Sequence, residues 1–198
     1  MSFCYFEAIY QLRSKQLFKL TCLSIAAVVM LAGCEQKAVP LEKVMPAPTI
    51  KPSKVKDLVL SPQAIGRVTF GVPLVQVEAI LGEQAMGLDQ TDNPECSYVA
   101  FKALPKVRLM IEKGIVTRAD VDPDIANITG VRVGDTEAVA RQKAPNATIG
   151  PHKYVPKGHV FTVAGSADTA IIMESDGSSI TRIRAGKQPA VAYVEGCG

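Results

Sequence analysis

The chain has 198 residues, of which 47% are hydrophobic and 21% are charged, as in an ordinary globular protein. This composition excludes gross disorder and a membrane protein with several spans. The net charge of +3 is too small to favour a nucleic acid partner, and the 6% of aromatic residues, with no Trp, argue against a stacking surface for single strands or sugars.

The N-terminal segment has the organisation of a secretory signal peptide. Three basic residues precede an uncharged apolar run at 20–32, which is too short to cross a bilayer. The run ends in LAGC at 31–34, and this motif resembles the lipobox of bacterial lipoproteins. The resemblance implies that residues 1–33 are a signal peptide, cleaved before Cys34, and that Cys34 is lipidated. The alternatives are an ordinary signal with a coincidental Cys or a buried apolar helix.

A Pro- and Lys-rich segment follows, and residues 34–60 are predicted to be the lipidated Cys34 and a tether. Four Pro interspersed with five Lys disfavour a helix, because Pro lacks an amide donor and extends its predecessor. In the sorting rule of enteric lipoproteins, Glu35 favours the outer membrane. We therefore expect a protein that is anchored to the membrane through Cys34 and faces the periplasm, and the sorting rule favours the outer membrane.

Two cysteines, Cys96 and Cys197, remain once the signal peptide and the lipidated residue are set aside. An even pair in an exported domain predicts one disulfide. It would close a loop of about 100 residues. The alternative, a redox or metal pair, lacks the CxxC spacing usual for such chemistry.

A self-similarity divides the remaining chain into two units. The segments that end at Gly71 and Gly134 resemble one another and lie sixty-three residues apart. VTR at 116–118 resembles ITR at 180–182 at an offset of sixty-four. Two tandem units of about 64 residues are therefore predicted. Within one domain at 61–198, the predicted units span about 65–127 and 128–190.

Each unit is predicted to contain a helix and a three-stranded antiparallel meander. The first helix carries an apolar stripe at 74–81 and ends at Gly82, and the second is capped by Thr136 and stops before Pro145. Lys113-Gly114 and Asp176-Gly177 are predicted hairpin turns. The predicted strands are 97–101, 107–112, 115–121, 159–163, 170–174 and 179–185, with a closing strand at 190–195. The expected fold class is α+β, with the helices on one face of the sheet.

This pattern resembles two families. A Gly-x-[Ser/Thr/Pro] start, a helix ending in Leu-Gly and a meander are similar to the β-lactamase-inhibitor-protein-like fold. The same features are similar to small outer-membrane assembly lipoproteins of the SmpA/OmlA type. The resemblance covers most of residues 65–185, although the second unit lacks the final Leu-Gly. It implies an inhibitor-like or envelope-assembly accessory role.

No catalytic pattern stands out in the sequence. His152 and His159 would need Asp168 or Glu174 as a further zinc ligand, at no recognised spacing. Ser166, His159 and Asp168 could form a triad, but no Gly-x-Ser-x-Gly elbow supports it. We expect no enzyme activity, no cofactor and no metal site. The expected function is a non-catalytic envelope lipoprotein that binds protein or wall; the alternative is a small periplasmic hydrolase with an unrecognised site.

The predicted binding surface follows from the alternation of side chains along the strands. One parity is assigned to the core: Leu109, Ile111, Thr117, Ala119, Ile171, Met173, Thr181 and Ile183. The opposite parity forms the predicted partner-binding face: Arg108, Met110, Arg118, Ile172, Arg182 and Arg184. An open face of this composition favours an acidic protein or an anionic wall or lipid group. The alternative is a solvated sheet whose Arg residues serve solubility.

Overall fold

The structure is a computed structural model that describes residues 58–88 and 93–198. The predicted signal peptide 1–33, the lipidation site Cys34 and the tether up to residue 57 lie outside the described residues. The folded part begins before the predicted boundary at residue 61, because Leu58 is buried and the first strand starts at Val59.

Most elements of the described residues are strands. They comprise β1 (Val59–Leu60), β2 (Ala64–Ile65), β3 (Val68–Thr69), β4 (Met86–Gly87), β5 (Cys96–Ala100), β6 (Val107–Glu112), β7 (Ile115–Val121), β8 (Ala126–Asn127), β9 (Thr148–Pro151), β10 (His159–Ala164), β11 (Thr169–Ser175) and β12 (Ile180–Lys187). The helices are α1 (Leu74–Leu81), α2 (Glu137–Lys143) and a 3-10 turn at Ala190–Ala192.

The strands form two sheets. The larger sheet has the order β4-β5-β6-β7-β12-β11-β10-β9, and its neighbouring strands are antiparallel. The pairing of β7 with β12 joins the earlier strands to the later ones, with Ala119 opposite Ala185. The smaller sheet has the order β3-β2-β1-β8, in which β1 and β8 are parallel.

The two predicted helices lie where the sequence places them, and both are short. α1 ends at Gly82, whose φ of 71° gives the left-handed cap that glycine tolerates. α2 begins after Thr136, whose hydroxyl accepts a hydrogen bond from the Val139 N–H at 3.3 Å.

The expected α+β class, with repeating helix-and-meander units, is wrong: the fold is β-rich. Gly82 stops α1 after eight residues, and α2 has seven. A second sheet that the sequence did not predict is built from two-residue strands around β1 and β8. Two-residue strands carry too little alternation to be recognised from sequence. One backbone hydrogen bond is nevertheless repeated in the two predicted units. The Gly71 N–H donates to the Val116 carbonyl at 2.7 Å, and the Gly134 N–H donates to the Ile180 carbonyl at 2.8 Å.

The hairpin turns follow the glycine signals. Lys113 and Gly114 both have positive φ, 51° and 78°, and connect β6 to β7 in a two-residue turn, as predicted. Gly177, with φ of 95°, lies in a four-residue connection between Ser175 and Ile180.

The predicted core parity holds over most of the sheet. Buried members in the main core are Leu109, Ile111, Ala119, Ile171, Met173 and Ile183. Thr117 is only half-buried and Thr181 is exposed. Register shifts near Met110/Ile111 and Glu174/Ser175 change the alternation at these points, so Val116 and Ile180 occupy the core instead.

The predicted closing strand at 190–195 is wrong. Its start forms the 3-10 turn Ala190–Ala192. Residues 188–198, here called the C-terminal strap, cross the sheet face that lies opposite the main core, here called the outer face. Ala190 packs with Met110, and Val191 packs with Ile172. Three backbone carbonyls of the strap accept hydrogen bonds from arginine side chains of the sheet. In a strand, such carbonyls would accept from the backbone N–H groups of a neighbouring strand.

Candidate functional site

The predicted partner-binding face is the outer face, and the C-terminal strap covers its centre. Arg108 and Arg182 are exposed. The four other predicted residues are buried: Met110, Arg118, Ile172 and Arg184. The predicted binding role depended on this face being open, and it is not open at these four residues, because the strap packs over them.

Arg118 links the centre of the sheet to the strap. Its Nε and Nη2 donate to the two carboxylate oxygens of Asp120 at 2.8 and 2.6 Å. Its Nη1 donates to the carbonyls of Tyr193 at 2.5 Å and Ala190 at 3.3 Å. The bidentate pair neutralises the buried guanidinium, and the remaining donors hold the strap backbone.

Arg184 makes a second link. Its Nη1 donates to Glu174 Oε1 at 2.6 Å and its Nε donates to the Val191 carbonyl at 2.7 Å. Burial and the charge of Arg118 lower the pKa of Arg184 from its usual value, and Glu174 opposes that shift. Glu174 also lies 3.6 Å from His152 Nε2. These groups stabilise the strap and are not free to bind a ligand.

The predicted disulfide between Cys96 and Cys197 is present and fastens the end of the strap to β5. An open cleft of about 340 Å³ borders it, with Glu112 and Glu195 in its wall.

Tyr98, on the same strand as Cys96, is half-buried beside the strap. Burial and the Asp120 charge raise the pKa of Tyr98 to about 12. A Cβ at Gly196 would lie 2.6 Å from the Tyr98 hydroxyl, so the strap requires glycine there.

A polar cluster at the start of α2 contains a serine, a histidine and a carboxylate, which are the side chains of a hydrolase triad. Here the carboxylate, and not the histidine, is the group bonded to the serine hydroxyl. Glu137 accepts hydrogen bonds from Ser175, which is buried, and from His159 Nδ1 at 2.7 Å. Burial opposes ionisation of Glu137, but the bonds from Ser175 and His159 lower its pKa overall. Because the carboxylate lies between the hydroxyl and the imidazole, it stabilises the loop and the histidine cannot act as base to the serine.

The other candidate site residues are not brought together. His159 is the first residue of β10, while Ser166 and Asp168 follow the opposite end of that strand. The triad of Ser166, His159 and Asp168 considered from the sequence therefore does not form. His152 contacts Glu174, whereas His159 contacts Glu137. Within residues 58–88 and 93–198 there is no group of three His, Cys, Asp or Glu side chains that could hold a metal ion.

An apolar slot that the sequence did not predict lies at the end of α2. Its volume is about 180 Å³. The lining residues are Ile128, Thr129, Lys143, Ala144, Pro145, Asn146 and Val163. Ile128 is 60% exposed. No sequence pattern marked it, because the slot joins three segments that are distant in the chain.

In the part of the chain that the structure describes, no helix has the length and apolarity needed to cross a membrane. The chain matches no protein-family model, no curated protein and no solved structure.

Proposed function

We propose that this protein is a non-catalytic lipoprotein of the cell envelope whose folded domain binds a protein or wall partner. The observation that carries the proposal is the apolar slot beside Ile128, which is open among the described residues, while the polar clusters of those residues are closed by internal bonds. An open apolar cavity with a polar rim is typical of a recognition site.

The anchor part of the proposal depends on the LAGC motif at 31–34 and its resemblance to a lipobox. Lipidation at Cys34 would hold the domain at a membrane through several acyl chains, and Glu35 favours the outer membrane with the domain facing the periplasm. The disulfide supports this proposal, because such bonds persist in oxidising compartments.

The hydrolase alternative has less support. In the described residues, Ser175 and His159 both bond to Glu137. An inhibitor-like or assembly character is implied only by the resemblance in sequence pattern, and the repeated helix-and-meander unit behind that resemblance is not the observed fold. A resemblance in pattern does not transfer function, so the partner must be found by experiment.

The anchor is tested with the full chain expressed in a bacterium that exports lipoproteins. We expect labelled palmitate to be incorporated into the wild-type protein and not into a Cys34→Ser variant. The wild type should sediment with outer membranes. Labelling of Cys34→Ser at the wild-type level would contradict the anchor.

The binding role is tested by cross-linking the intact lipoprotein in living cells and identifying its adducts by mass spectrometry. We expect one reproducible envelope partner that is absent from cells lacking the protein. The absence of any specific adduct, together with turnover of an envelope substrate by the pure protein, would overturn the binding role in favour of the hydrolase.

A further inference from the structure

We propose that the C-terminal strap is an autoinhibitory cover, and that the outer face beneath it binds a segment of a partner protein once a dithiol reductant opens the disulfide. The segment that fits has the chemistry of the strap, with small apolar side chains on a backbone whose carbonyls accept hydrogen bonds. The inference concerns the outer face and not the apolar slot, so it goes beyond the proposed function.

The strap itself shows what the outer face recognises. Ala190 and Val191 are almost completely buried against the sheet. Arg118 donates hydrogen bonds to two carbonyls of the strap, and Arg184 donates to one. The strap is therefore held as a bound peptide is held, through small side chains in apolar contact and a backbone bonded to fixed donors.

The strap is separate from the main core and from the strand ladder. Its buried side chains belong to two small apolar clusters, and none of them is a member of the main core. Within residues 58–88 and 93–198, the strap makes no backbone hydrogen bond to a strand of the sheet. Its removal therefore leaves the pairing of the strands and the main core intact.

The disulfide decides whether the strap stays in place. Fixing the eleven residues of the strap costs conformational entropy. Three hydrogen bonds, two small buried side chains and the exposed ion pair of Lys153 with Glu195 contribute less stabilisation than that cost. While Cys96 and Cys197 are joined, the far end of the strap is held against β5 and most of the cost is avoided. We therefore expect the strap to leave the face in the reduced protein.

The sheet keeps its buried charges paired when the strap leaves. Arg118 bonds to both carboxylate oxygens of Asp120, and Arg184 bonds to Glu174. These four residues all belong to strands of the larger sheet, so departure of the strap leaves no buried charge without its partner. It exposes donors of both arginines beside apolar surface, and this combination favours a peptide that brings its own carbonyls.

A reductant can reach the disulfide, because Cys96 and Cys197 both line the open cleft of about 340 Å³. A dithiol, such as a protein with a reduced Cys-x-x-Cys pair, attacks one sulfur as a thiolate, and its second thiol resolves the mixed disulfide. The bond between the two cysteine sulfurs breaks and an S–S bond forms in the dithiol. Two electrons and two protons pass to the cysteine sulfurs.

The first test records methyl NMR spectra of the exported, oxidised full chain in detergent micelles, before and after addition of dithiothreitol. Ile172 packs with Val191 of the strap, and Ile171, its neighbour on the core side of β11, is the internal control. We expect the signals of Ile172 and Val191 to shift on reduction and that of Ile171 to remain. Unchanged signals would show that the strap stays bound, and an equal change at Ile171 would show global unfolding; either result would overturn the proposal.

The second test measures binding of a fluorescent peptide with the sequence of residues 188–196, QPAVAYVEG. We expect saturable binding to the reduced protein, and binding at least about tenfold weaker to the oxidised protein, whose strap occupies the face. The same peptide with aspartate at the position of Val191 should not bind, because that side chain enters apolar surroundings.

Three variants separate a cover from a purely structural disulfide. Cys197→Ser should bind the peptide without reductant, since nothing fastens its strap. Val191→Asp weakens the docking of the strap and leaves the sheet unaltered, so the reduced variant should bind the peptide several-fold more tightly than the reduced wild type. Ala192→Asp, at an exposed position of the strap, is the matched control and should bind as the reduced wild type does.

Equal binding of the peptide by the oxidised and reduced proteins, or equal affinities of the Val191 and Ala192 variants, would overturn the proposal. Re-oxidation that yields dimers linked from Cys96 of one copy to Cys197 of another would make a second copy the occupant and overturn the assignment to a different protein. The proposed function is judged separately, by the envelope cross-links of the oxidised protein.

Discussion

The Nη1 atom of Arg118 lies 2.5 Å from the carbonyl oxygen of Tyr193, and this hydrogen bond joins the middle of the sheet to the C-terminal strap. Arg184 repeats the arrangement at Val191, at 2.7 Å. The chain thus satisfies its own buried arginines with its own backbone. This explains why side chains predicted to bind a partner are covered.

Arg184→Met should destabilise the protein strongly, because it leaves the buried Glu174 carboxylate without its main partner. Loss of one member of a buried ion pair typically costs about 3–5 kcal/mol. The matched control is Arg182→Met on the same strand, which should change the free energy of unfolding by less than about 0.5 kcal/mol, since Arg182 is exposed.

The free energies of both variants are measured by urea unfolding of the oxidised protein. Arg184→Met combined with Glu174→Met should recover much of the loss, because no buried charge remains unpaired. Equal effects of the Arg184 and Arg182 substitutions would contradict the buried network.

The disulfide should contribute on the order of 4 kcal/mol to stability, because it closes a loop with a sequence separation of 101 residues. Replacing Cys96 and Cys197 with Ala should lower the free energy of unfolding by about that amount. Mass spectrometry of the exported wild type without reductant should show the cross-linked peptides. Two free thiols in that sample would disprove the pairing, and a reductant should leave the double Ala variant unaffected.

Gly186→Ala should disrupt the pairing of β7 with β12 at the centre of the sheet. A Cβ at Gly186 would lie 2.7 Å from the Cα of Arg118 and closer still to the Thr117 carbonyl oxygen. Because rigid backbone stands in the way, we expect a loss of about 1–3 kcal/mol by thermal unfolding. Gly150→Ala is the control, since nothing lies within 4 Å of its added methyl. Similar melting temperatures for the two variants would count against this central pairing.

The Glu137 cluster predicts a pH dependence of stability. The folded-state pKa of Glu137 is lowered from its usual 4.5, so its contribution is present above pH 4.5 and is lost as the pH falls through the folded pKa. Glu137→Gln should therefore be less stable than the wild type at pH 7, and the gap should narrow in acid. Ser175→Ala keeps the carboxylate but removes one bond to it, and should show a weaker pH dependence. A gap independent of pH would refute this role.

Local signals in the sequence determined several elements correctly. Gly82 and Thr136 mark the end of α1 and the start of α2 because their effects act within one turn of chain. The alternation in β6 and β7 predicts their bounds, and the Lys113-Gly114 pair predicts the turn between them. Cysteine count and the export signal together predict the disulfide.

Long-range packing decided what the sequence could not. The four-stranded sheet depends on β1 pairing with β8, whose residues 59 and 126 are far apart in the chain. The apolar slot likewise joins Ile128, Ala144 and Val163 from three separate segments. No periodicity within a short window can report such contacts.

The outer face shows most clearly which properties follow from the sequence and which follow only from the tertiary structure. Strand alternation alone determined that Met110, Arg118, Ile172 and Arg184 lie on the side opposite the main core. Only the tertiary structure decided that the centre of this side is buried, because the strap closes over it through the disulfide and the arginine–carbonyl bonds. The period of a strand tells which way a side chain points and carries no information about which distant segment covers it.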